Sequence, residues 1–169
     1  MAKASVTDRL VAWFTVWDED KTRGVLNVTL AVLTGLLFGM VLDTIFRQVG
    51  NYMFPPPPTF DMASAEDIAQ LLDTVPADAY IIKLISWTLG TFGGGYVAVR
   101  MAKVGAFPAW ITGVLLMASY MIHMSLIPHP NWVVLICLPL CTVSAFAAGL
   151  VGNFILIQQM RRRAASEVA

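Results

Sequence analysis

Between Gly24 and Phe46 the chain is one continuous apolar run, interrupted only by Asn27, Thr29, Thr34, Asp43 and Thr44. At about 1.5 Å per helical residue, a run of this length crosses the roughly 30 Å hydrocarbon slab of a bilayer. Comparable runs follow at about 79–101, 107–127 and 132–157. In hydrocarbon no water satisfies a free backbone N–H or C=O, so each run is read as a helix that closes its own hydrogen bonds. The expectation is an all-α, polytopic membrane protein: a four-transmembrane-helix bundle over residues 24–160. Composition agrees, because a chain of 169 residues that is 57% hydrophobic and only 13% charged holds more apolar side chain than a soluble core of that size hides.

The flanks have a different character. Val6, Leu10, Trp13, Phe14 and Trp17 recur at helical spacing in the segment 1–23, and Ser5 with Asp8 matches a capping box, which predicts an amphipathic N-terminal helix lying in the headgroup region. A plain cytoplasmic contact helix is its rival. The outer loop, 47–78, contains the run Pro55–Pro58, stiff and unable to donate backbone hydrogen bonds. Ser64 and Asp67 then open a short helix with Ile68, Leu71 and Leu72 on one side, which Val75 and Pro76 end. Gly105 and Pro108 mark one turn between spans, and Pro128, Pro130 and Asn131 mark the next. Pro139 is expected to kink the last span. No cleaved signal is expected, because residues 1–23 lack a short apolar stretch followed by a small-residue cleavage site.

Charge placement sets the orientation. Lys3, Arg9, Lys21, Arg23, Arg100, Lys103 and the tail residues Arg161, Arg162 and Arg163 all fall on one side of the four spans, leaving only Arg47 and Lys83 of the 11 basic residues opposite. The positive-inside rule then puts both termini in the cytoplasm, with 161–169 as a basic cytoplasmic tail, and the short loops fit a bacterial inner membrane. A formal net charge of zero gives no reason to expect nucleic acid as a partner.

Lipid tails are as apolar as leucine, so helices in a bilayer associate through close approach and polar contacts. Small residues recur every fourth position: Ala31, Gly35 and Gly39; Ser86, Gly90, Gly94, Ala98 and Ala102; Cys137, Cys141, Ala145 and Gly149, with Ala148 and Gly152 beside them. These stripes are expected to pack the bundle internally, or to leave one seam for a second copy or another membrane subunit. Bound lipids are expected as well.

Ionisable groups inside hydrocarbon are costly and default to functional candidates. Asp43, Lys83 and His123 are expected at similar depth near the outer end of the bundle, with Arg47 one helical turn from Asp43 and able to pair with it. One reading is an ion-paired rim. The other is an outward-open pocket for an ion, proton or anionic ligand, lined also by Tyr80, Tyr120 and His129. A softer set comprises Met117, Met121 and Met124 around His123, with Cys137 and Cys141 on the next helix, donors that suit monovalent copper. The methionine pair four apart, together with the small-residue stripes, is similar to high-affinity copper transporters in these residues alone. Those proteins have three spans per subunit and methionine-rich outer tails, which this chain lacks. The plainer reading makes the cysteines members of a packing stripe and the methionines gap fillers.

No His-Glu-x-x-His, Gly-x-Ser-x-Gly or Walker signature occurs, so no catalytic residue is expected. The expectation is a non-enzymatic accessory, scaffold or assembly protein that packs with a membrane complex or with itself. The alternative is a small transporter or channel built on Asp43, Lys83 and His123.

Overall fold

The computed structural model describes residues 19–55, 74–127 and 129–168. They form four helices: α1 (Glu19–Met53), α2 (Ala77–Ala102), α3 (Phe107–Leu126) and α4 (Asn131–Val168). No strand occurs among the described residues. The expected N-terminal helix and most of the expected outer-loop helix lie outside them.

Helix ends follow local chemistry. Pro76, extended at φ −65° and ψ 149°, precedes α2. Lys103 adopts a left-handed conformation and returns its N–H to the Val99 carbonyl at 3.0 Å, and Gly105 at φ 98° completes the reversal. Pro108 sits in the first turn of α3, where its missing N–H costs nothing. α1 continues past the expected end of its apolar run, through Arg47 and Asn51 to Met53, because these polar residues are good enough helix formers and project outward.

Within the helices the hydroxyls are satisfied by the turn before them. Thr29, Thr34, Thr44, Thr88, Thr91, Thr112 and Thr142 each donate to the carbonyl four residues back. Such back-bonding is how threonine is carried into an apolar solvent without an unmade hydrogen bond.

Three helical stretches are long and apolar enough to cross a membrane: Arg23–Met53, Phe107–Leu126 and Asn131–Ser166. Their outward faces carry large apolar side chains in rows. Leu33, Leu37, Val41 and Ile45 on α1, and Val143, Phe146, Leu150 and Phe154 on α4, are each more than half exposed. Contiguous apolar surface on this scale faces lipid or protein rather than water.

α2 is less apolar. Like α3, it touches each of the other three helices, whereas α1 and α4 do not touch among the described residues. The arrangement is a rhombus with α2 and α3 on the short diagonal. Lying inside, α2 trades long aliphatic side chains for Ser86, Gly90, Thr91, Gly94, Gly95 and Ala98, all buried.

Glycine sets the α1–α2 distance. A Cβ on Gly35 would lie 2.5 Å from the Gly94 carbonyl oxygen, and one on Gly39 would lie 2.8 Å from that of Gly90. The same register carries on to Asp43 and Ser86, which are hydrogen-bonded. α1 and α3 run parallel in register, with Gly35 beside Thr112 and Gly39 beside Leu116. Gly113 meets Ala145, Gly95 meets Ala148, Gly149 meets Trp110 and Ala106, and Gly152 meets Val99.

The two ends of the bundle differ in filling. Toward the Arg100 end, small residues close the interior around Val99, Ala109 and Ala148. Toward the Asp43 end the core is built from Tyr80, Leu84, Trp87, Leu116, Tyr120, Met124 and Val133. These larger rings fill the interior there, beside the polar groups Asp43, Ser86 and Lys83.

Candidate functional site: a polar layer at one end of the bundle

Asp43 and Ser86 occupy the next register step above the two glycine crossings, so the close backbone approach delivers the Ser86 hydroxyl to α1. Its Oγ lies 3.0 Å from the Asp43 carbonyl oxygen and 2.5 Å from Asp43 Oδ1, and donates its proton there. A hydrogen bond to an ionised carboxylate is among the stronger ones available to a side chain. Arg47 does not share in it: its Nη2 donates to Thr44 Oγ1 at 3.4 Å on the exposed flank of α1. The Asp43 side chain points inward and the Arg47 side chain outward.

Lys83, one turn before Ser86, is half-buried. Its ammonium lies 5.4 Å from the centroid of the Trp87 ring and 2.8 Å from His129 Nε2. An ammonium has only protons to give, so Nε2 must accept. The other ring nitrogen, Nδ1, then carries the proton and donates it to the Ile127 carbonyl. The two bonds together select one neutral tautomer of His129. Burial and the adjacent Lys83 ammonium push this histidine down to about 4, against a smaller upward pull from the Ile127 carbonyl.

Rings surround this pair. His123 on α3 lies 6.1 Å edge-on from Trp87 and 5.9 Å from His129. Tyr80 makes edge contacts at 6.1 Å with both His129 and Trp132. Trp87 stacks on Tyr120 at 5.3 Å. Three helices and the α3–α4 link thus bring Asp43, Lys83, His123, His129, Tyr80 and Tyr120 into one layer.

Tyr120 is 5% exposed, and its hydroxyl has no partner in hydrogen-bonding geometry. The Thr91 hydroxyl, which donates to the Trp87 carbonyl at 2.8 Å, keeps lone pairs that could accept from the phenol and lies close to it, but not in hydrogen-bonding geometry. The phenol oxygen lies against Gly90, where a Cβ would come within 2.9 Å of it and 3.5 Å of Asp43 Cβ. An orphaned hydroxyl in such a place costs about 1–3 kcal/mol unless something accepts from it or donates to it.

The layer holds a carboxylate and an ammonium at separate stations, each with a neutral partner. Carboxylate, amine and imidazole side chains gathered in one layer are groups able to give and take protons. Ser86 and Trp87 are members that sequence reasoning assigned to packing or passed over. The available signal was position, since they follow Lys83 by three and four residues and share its helix face.

The soft-donor set is dispersed through the core. Cys137 and Cys141 are buried free thiols with their sulfurs 3.9 Å apart. Met124 is buried, Met117 and Met121 pack at the margin of the same core, and Met117 Sδ lies 3.7 Å from Thr142 Oγ1, whose proton goes to the Leu138 carbonyl. No three of His, Cys, Asp and Glu cluster at metal-binding distance among the described residues. Gly35, Gly39, Gly90, Gly94, Ala145, Gly149 and Gly152 all lie at helix–helix contacts. Compared with known proteins, the chain matches no family model, no curated protein and no solved structure.

Proposed function

We propose that the chain is a multi-pass protein of a bacterial inner membrane, crossing four times with both termini in the cytoplasm, and that its outward end binds a proton or small ion for transport. Support for a fourth crossing comes from direction. α1 and α3 run parallel in register and α2 runs antiparallel between them, as expected of a chain that returns through α2. Its 26 residues are about 39 Å long, enough for the slab.

The observation that carries the transport reading is the pairing of Lys83 with neutral His129 while Asp43 is held by Ser86 one turn away. A purely structural rim would join the two charges directly, as an ion pair with its hydrogen bonds complete. Proteoliposomes enclosing a pH-sensitive dye test it. Wild-type protein is expected to carry protons or counter-ions down an imposed gradient. Flux that survives Asp43→Asn, Lys83→Gln and His123→Gln together would remove the site.

A second reading, the accessory or scaffold subunit, is favoured by the length of α4. Its 38 residues span about 57 Å, so a helical arm bearing Arg161, Arg162 and Arg163 extends beyond any bilayer and is free to meet a partner. The glycine stripes lend this reading less, because they are turned inward. A detergent-solubilised particle with the mass of one chain, and nothing co-purifying, would end it.

A further inference from the structure

One buried charge lies at the opposite end of the bundle from the polar layer. Arg100 is half-buried near the end of α2, and its Nη1 is shielded from solvent with no hydrogen-bond partner. A guanidinium has five protons to place, and a shielded Nη1 left without an acceptor is costly.

The surroundings say what would pair with it. Because α1 and α4 do not touch, one face of α2 is open between them. Ile81, Ile85, Leu89, Phe92, Tyr96 and Arg100 follow one another along it at steps of three and four. The first three are each more than a third exposed, and the rings of Phe92 and Tyr96 stack at 6.4 Å. Phe38 and Leu42 of α1 lean over Gly93 on one side, and Tyr96 rests on Gly152 of α4 on the other. From Arg100 to Leu89 the track is about 16 Å long, close to the roughly 15 Å depth of one leaflet.

Basic residues outnumber acidic ones at this end: Lys21, Arg23, Arg100, Lys103, Arg161, Arg162 and Arg163 stand against Glu19 and Asp20 at the start of α1 and Glu167 at the end of α4. We infer that Arg100 binds the phosphate of an anionic phospholipid whose acyl chain lies along Tyr96, Phe92 and Leu89. The planar guanidinium suits a phosphate's paired oxygens, and the apolar track gives the tail a place that an inorganic anion would not use. This site stands apart from the polar layer and does not rest on its reading.

Native mass spectrometry of the purified full chain tests the site, using phosphatidylglycerol and phosphatidylcholine of matched chain length and, separately, inorganic phosphate. The expected result is retention of phosphatidylglycerol over phosphatidylcholine, and no retained inorganic phosphate. Arg100→Gln is expected to weaken phosphatidylglycerol retention about tenfold, the scale of one charge-assisted hydrogen-bond set. Arg100→Lys is expected to recover part of it, Tyr96→Ala to weaken it, and Arg162→Gln in the exposed tail to leave it unchanged. Equal retention of the two lipids by wild-type protein would overturn the assignment even if Arg100→Gln fails to fold. So would capture of inorganic phosphate as tightly as lipid, or a loss in Arg162→Gln as large as that in Arg100→Gln.

Discussion

Gly35 on α1 and Gly94 on α2 meet backbone to backbone: a Cβ placed on either would come within 2.6 Å of the other's carbonyl oxygen. The partner is main chain and cannot swing aside, so even one methyl group must push the helices apart. Gly35→Ala or Gly94→Ala is therefore expected to lower stability by about 1–3 kcal/mol, as overpacking does. Gly24, with nothing within 4 Å, is the control. Gly24→Ala should be neutral or stabilising by up to about 1 kcal/mol, since alanine is the better helix former. Thermal unfolding in detergent compares the three variants; equal midpoints for Gly35→Ala and Gly24→Ala would refute the close approach.

His129 gives the bundle a defined response to acid. Its ordinary value is 6.5, and burial beside Lys83 pushes it down to about 4. Protons therefore bind the unfolded chain more readily than the folded one. The stabilisation is complete above about pH 6.5, declines as pH falls from there toward about 4, and is gone below. The groups facing it are Lys83 and Tyr80 from α2 and His123 from α3. Across that window the unfolding midpoint of wild-type protein should fall more steeply with acid than that of His129→Asn. Parallel curves would show that Lys83 does not bond to a neutral imidazole.

Cys137 and Cys141 are 2% and 1% exposed and are not joined by a disulfide. A maleimide reagent is expected to modify neither in the folded protein and both after denaturation. Cys141→Leu should cost about 1–3 kcal/mol by overfilling the core, whereas Cys141→Ala should cost less. Rapid labelling under native conditions would contradict the packing of α4 against α2 and α3.

The direction of α2 is open to a topological test. Asn51→Cys, exposed at the end of α1, should react with an impermeant thiol reagent on intact cells. Val104→Cys, 57% exposed in the α2–α3 link, should react only after permeabilisation. Both sites reacting from the same side would remove α2 as a crossing segment.

The helical class was legible because the runs beginning at Gly24, Phe107 and Trp132 stay largely apolar over the length of a membrane-crossing helix. α2 was harder to read. Its glycines, Lys83 and hydroxyl residues lower its hydropathy, and the structure puts Ser86, Gly90, Thr91 and Gly94 at buried helix–helix contacts. The spacing of Gly35 and Gly39 announced close contact, but nothing in one sequence said that Gly94 and Gly90 would answer them. Asp43, Lys83 and His123 each stand about one turn from the end of their runs, and the structure gathers them at one end of the bundle. Partners were not. That His129 from a proline-flanked link would reach Lys83, and that Asp43 would take Ser86 and leave Arg47 to Thr44, depends on the register in which the helices pack, which one sequence does not give.

The rhombic plan has a mechanical corollary. α1 and α4 each lean on the α2–α3 pair and owe nothing to one another, so either can be peeled away while the other stays seated. Pulling on the C-terminus from the membrane surface should first extract α4 as a single event, leaving α1 docked on its glycine seam with α2.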